Sequence, residues 1–173
     1  MTSRTEWKVR RLSRFSDGLD PWRLAVAVDV SSRVGFGHLK RCIAIGMHAR
    51  STGAQVDFWV AGDVASAGRM VEMAGFDCPK TASENPAATI VLVDRVHSDV
   101  LQHPEVLEVD IARWRRQGAR IALIDGTRKG SLRHQRPHLL VDLFIAPYAG
   151  ERLETASVRS LVGPAFAPLG AEY

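Results

Sequence analysis

Residues 24–42 read Leu24-Ala25-Val26-Ala27-Val28-Asp29-Val30-Ser31-Ser32-Arg33-Val34-Gly35-Phe36-Gly37-His38-Leu39-Lys40-Arg41-Cys42. The first seven are apolar except Asp29, as expected of a central parallel strand covered on both faces. From Leu39 the apolar period changes. Leu39, Cys42, Ile43, Gly46 and Met47 recur at i, i+3, i+4, i+7 and i+8, which predicts one stripe of an amphipathic helix. Gly53 is its expected stop. A strand, a glycine-bearing turn and a helix, in that order, open an α/β sheet.

The alternation continues along the chain. Residues 56–60 read as a second strand, and 63–74 as a helix with Val64, Ala67, Val71 and Ala74 on one face. Residues 89–93 form a third strand ending in Asp94, and 105–117 a helix closed by Gly118. Residues 121–124 form a fourth strand ending in Asp125, and 139–145 a fifth. Residues 81–88 and 127–137 are the expected loops; the second is rich in Arg, Lys and His. The expected class is therefore α/β, a mainly parallel Rossmann-like sheet flanked by helices.

Composition narrows the function classes. The chain has 173 residues, 46% hydrophobic and 24% charged, which suits one folded domain rather than a disordered segment. No apolar run reaches the roughly 20 residues a bilayer crossing needs, so no membrane span is expected. The basic residues of the N-terminus have no apolar h-region directly behind them, so it does not read as a secretory signal. Cys42 and Cys78 lack metal-ligand spacing, and Cys42 reads as a small buried hydrophobe. A cytoplasmic location is the expectation. Of 23 Lys+Arg and 19 Asp+Glu, five basic residues and one acidic residue fall in residues 1–16. The remaining charges cancel. The net +4 thus sits in residues 1–16, within a basic N-terminal extension, residues 1–23, ahead of a domain spanning 24–173. A nucleic-acid-binding domain would carry its excess on the folded body, so no nucleic-acid partner is expected.

Ligands of open parallel sheets bind beyond the carboxyl ends of the strands. Asp29, Asp94 and Asp125 all close strand-like segments, and the Gly35-Phe36-Gly37-His38 turn follows the first. All four features should lie along one rim. Each aspartate taken singly is also a good loop or helix cap. His38, preceded by the two glycines of the turn at the start of a helix, can act as a general base, donate to a ligand or cap the helix. Arg41, one turn later, can face the same site. The other histidines show no metal-like pairing. Lys40 stands where a dinucleotide fingerprint needs its third glycine.

The run from Asp29 to Cys42 resembles the D-x-S-x-x-I-G-x-G-H-x-x-R-C signature of the UDP-sugar hydrolases of pseudaminic acid biosynthesis. Further segments follow in family order: Leu92-Val93-Asp94, then Gly118 to Asp125, then Leu161-Val162-Gly163-Pro164-Ala165-Phe166-Ala167-Pro168-Leu169. The resemblance implies the N-terminal domain of a two-domain GT-B protein. It implies hydrolysis of UDP-2,4-diacetamido-2,4,6-trideoxy-β-L-altropyranose, with His38 as the base that activates water and no metal or cofactor. Gly35, Phe36, Gly37, Asp29, Arg41, Asp94 and Asp125 would then contact the nucleotide-sugar substrate. It also implies that Tyr173 falls where the first domain hands over to the second. A separate C-terminal UDP-binding domain or subunit is the expected partner. The chain departs from the family at Ala27, where an arginine is usual, at Val96, where a tyrosine is usual, and at Gly126, where a second aspartate is frequent. A non-catalytic sugar-nucleotide-binding module and the acceptor-binding half of a glycosyltransferase stay open beside the hydrolase.

Overall fold

The computed structural model describes residues 22–30, 35–77, 88–95, 103–126, 131–147 and 159–163. Residues 1–21 of the N-terminal extension, Ser31 to Val34, Cys78, residues 81–87, Val96 and residues 164–173 lie outside them, so the expectations placed there are not addressed. The elements run β1 (Arg23–Val30), α1 (Gly37–Ser51), β2 (Gln55–Gly62), α2 (Val64–Met73), β3 (Ile90–Asp94), α3 (Pro104–Arg116), β4 (Arg120–Ile124), the single turn α4 (Leu132–Gln135), β5 (Leu143–Ala146) and β6 (Arg159–Val162). The six strands form one sheet in the order β2-β1-β3-β4-β5-β6. Every pairing in it is parallel. This is a Rossmann-like α/β fold, and among the described residues no helix is long and apolar enough to cross a membrane.

β1 is an interior strand, paired on both sides and apolar on both faces. Its even-numbered residues, Leu24 to Val30, pack with Leu39 and Cys42 of α1 and Ala67 and Val71 of α2. On the other face Ala25 and Ala27 join Trp59 and the α3 residues Leu107, Ile111 and Trp114. The two indoles meet at 5.3 Å between ring centroids. The helices α1 and α2 are tied by Arg50, which donates to Gly75 O at 2.8 Å and lies 4.2 Å over the Phe76 ring.

Three details differ from the sequence reading. Met47 is 50% exposed, and Ala49 is buried in its place. At about 100° per residue the two flank Leu39 on opposite sides. The buried arc has therefore rotated toward the Cys42 side of the helix. Of the expected fifth strand only residues 143–145 pair in the sheet, where β5 runs on to Ala146; Leu139 and Val141 bury their side chains ahead of it. The turn α4 lies inside the expected basic loop, and β6 is an edge strand that was not expected.

The end of β1 is held by a close backbone approach. Val30 is in register with Gly62, and Val30 O accepts from Asp63 N at 2.6 Å. Gly62 has φ +87, and a Cβ there would fall 1.9 Å from Val30 O. Gly35 also has positive φ, +71, but a Cβ there meets nothing within 4 Å. In urea unfolding, Gly62→Ala should therefore cost clearly more than the roughly 1–3 kcal/mol of backbone strain expected for Gly35→Ala. Equal losses would show that the approach to Val30 is not a constraint.

Candidate functional site

Chain order reverses beside β1, which has β2 on one side and β3 on the other. Such a switch point opens a crevice at the carboxyl ends of the strands. The expected rim is present: Asp29 is the penultimate residue of β1, Asp94 ends β3 and Asp125 follows β4. The pleat then divides the aspartates. Asp94 shares the face of Leu92, toward α1, whereas Asp29 shares that of Ala25 and Ala27, toward α3.

On the α1 face, His38, Arg41 and Cys42 stand at i, i+3 and i+4, so one side of the helix presents all three. They converge on Asp94, which is 1% exposed. His38 Nδ1 lies 2.7 Å from Asp94 Oδ1. Arg41 grips both oxygens, Nε to Oδ2 and Nη2 to Oδ1, each at 2.5 Å. The Cys42 thiol points at Oδ2 from 3.5 Å. Burial pushes the Asp94 carboxyl up, but the hydrogen bonds from His38 and Arg41 and the charge of Arg41 outweigh it, so the group lies below the ordinary aspartate value. Cys42 goes the other way. Burial first, and then the neighbouring Asp94 charge, raise it well above the usual thiol value. It is a protonated packing residue, not a nucleophile.

An ionised Asp94 fixes the imidazole. Two bare acceptors 2.7 Å apart would repel, so the network assigns the shared proton to Nδ1. Arg41 Nη2, 2.9 Å from the same nitrogen, directs its hydrogen to Asp94 Oδ1. Among the described residues nothing hydrogen-bonds to Nε2, and the His38 side chain is 25% exposed. The arrangement is an imidazole oriented by a carboxylate that an arginine clamps, a geometry that can serve a general base.

Among the described residues the start of α1 is left uncapped. Phe36 is the N-cap residue, makes no side-chain capping bond and is 37% exposed, and the first turn contains no acidic residue. A Cβ at Gly37 would meet nothing within 4 Å, so packing among the described residues does not require a glycine there.

Asp29 and Asp125 do not join this cluster. Asp29 accepts from Arg95 Nε at 2.9 Å, and Arg95 also reaches Asp110 of α3 at 3.0 Å. Asp125 accepts from the main-chain N–H groups of Gly126 at 2.7 Å and Arg133 at 2.8 Å, holding the chain that leads into α4. The sequence reading missed Arg95 and Asp110. Its usable signal was the position of Arg95 directly after Asp94, which the pleat turns to the face of Asp29. Among the described residues no three His, Cys, Asp or Glu side chains gather as a metal site. No protein-family model, no curated protein and no solved structure matches this chain.

Asp94→Asn removes the buried charge that His38 and Arg41 both bond to, so it should cost about 3–5 kcal/mol at pH 7. A carboxyl held below its unfolded value stabilises the fold above about pH 3.9, and that contribution is lost as pH falls through the folded value. The gap between parent and variant in urea unfolding should therefore shrink on acidification below pH 4. A gap independent of pH would contradict the ionised Asp94. In peptide-mapped alkylation at pH 8, Cys42 should react only after denaturant is added. Rapid native labelling would contradict the buried thiol.

Proposed function

We propose that this chain is the histidine-bearing half of a sugar-nucleotide hydrolase. The proposed substrate is UDP-2,4-diacetamido-2,4,6-trideoxy-β-L-altropyranose or a close relative. The observation that supports this best is the His38–Asp94 pair, clamped by Arg41, at the β1/β3 switch point. The resemblance around Gly35 to Cys42 supplies the substrate class. The proposed step is displacement at the anomeric carbon. Nε2 of His38 takes a proton from water as the water oxygen bonds to that carbon. The bond from the anomeric carbon to the β-phosphate oxygen breaks, and its electron pair leaves with UDP. Asp94 stabilises the imidazolium through Nδ1–H. Gly35 and Gly37, where a Cβ would meet nothing within 4 Å among the described residues, are the proposed contacts of the sugar, with Phe36 at the edge. A separate UDP-binding half is the proposed partner.

A second reading, a binding module without turnover, rests on Ala27. Where the resembled family usually has an arginine, this chain places a buried alanine in the core beneath α3.

UDP release from the nucleotide-sugar, followed with the chain alone and with a GT-B UDP-binding half, tests the proposal. Turnover should need the partner, and His38→Ala should lower kcat by about 10²–10⁴-fold. Turnover that survives His38→Ala would remove His38 as the base. Saturable binding by calorimetry with no UDP release under either condition would favour the binding module.

A further inference from the structure

Among the described residues Arg133 is the one buried cation, at 9% exposure. The buried aspartates do not balance it through its side chain. Asp94 is engaged by His38 and Arg41, and Asp29 by Arg95. Asp125 takes the main-chain N–H of Arg133, not its guanidinium. The neighbouring Arg136 and His138 turn to Glu108, at 3.1 and 3.4 Å. Nη1 of Arg133 donates to Pro137 O at 3.3 Å, and the guanidinium carbon lies 6.0 Å from the Phe144 ring centroid. Among the described residues Nε and Nη2 have no partner.

Among the described residues the guanidinium is held by a neutral carbonyl and a distant ring alone, which leaves its Nε–Nη2 edge uncommitted. Nε–H and Nη2–H lie on one edge of the guanidinium and form a planar fork. That fork matches two oxygens of a carboxylate or phosphate. Asp125 anchors the backbone of Arg133 at the carboxyl end of β4, on the edge where open parallel sheets take ligands. We propose that Arg133 is an oxyanion-binding residue, seating a phosphate or carboxylate group on Nε and Nη2. This does not depend on the hydrolase reading.

The test follows the arginine Nε–Hε signals of the full chain by ¹H–¹⁵N NMR. Inorganic phosphate and acetate are titrated separately against chloride at matched ionic strength. The Arg133 signal, assigned by its loss in Arg133→Lys, should shift saturably with an affinity on the order of millimolar. The Arg41 and Arg95 signals should move far less. In Arg133→Lys, which keeps the charge but not the fork, the response of the Gly126 amide should weaken at least tenfold. Saturation by phosphate alone identifies a phosphate site, and by acetate alone a carboxylate site. An Arg133 signal unmoved by both anions, or one that moves only in step with the other arginines, overturns the proposal.

Discussion

The carboxylate of Asp94 is the constraint to which the rest of the site conforms. It ends the strand next to β1 and is shut off from solvent, yet it stays ionised. A buried charge in that position is tolerated only when its lone pairs are met. The first turns of α1 meet them, with His38, Arg41 and Cys42 on one side of the helix. The rotation of α1 follows. An apolar stripe alone would leave Met47 and Ala49 equivalent about Leu39. The polar side chains beside Cys42 draw the helix round, so Ala49 is buried and Met47 exposed. Gly46 then faces β2 so closely that a Cβ would stand 3.1 Å from the Phe58 ring.

Strand pleating does the complementary work. Asp29 and Asp94 close neighbouring strands, but they answer to different helices. One joins Arg95 and Asp110 beneath α3; the other joins His38 and Arg41 beneath α1. Arg95, next to Asp94 in sequence, falls on the opposite face and ties the ends of β1 and β3 to α3. The switch-point crevice is therefore braced by an ion pair on each side of the sheet. Asp125 plays the capping part that a strand-end aspartate often plays.

Much of this was legible in the chain. The unbroken apolar run at 24–30 marked a strand covered twice, and the shift to a period near 3.6 after Gly37 marked α1. Gly53 and Gly118 marked the helix ends. β6 escaped because two exposed and two half-buried edge residues carry no alternation. Residues 139–142 misled because Leu139 and Val141 are apolar for burial, while their backbone does not pair in the sheet. The shared rim was readable from three strand-end aspartates. Which of them His38 would meet was not, because that depends on pleat parity and on the rotation of α1. The proximity of Cys42 to Asp94 was hidden for a similar reason, since a buried thiol looks the same in sequence whatever it packs against.

The central claim is that ionised Asp94 holds His38 with its proton on Nδ1 and a lone pair on Nε2, open to the crevice. Long-range ¹H–¹⁵N correlation spectra of the His38 imidazole, recorded where the ring is neutral, test it directly. The account predicts a protonated Nδ1 and a bare Nε2 in the parent chain, with that preference lost in Asp94→Asn. A parent imidazole protonated on Nε2 would contradict it.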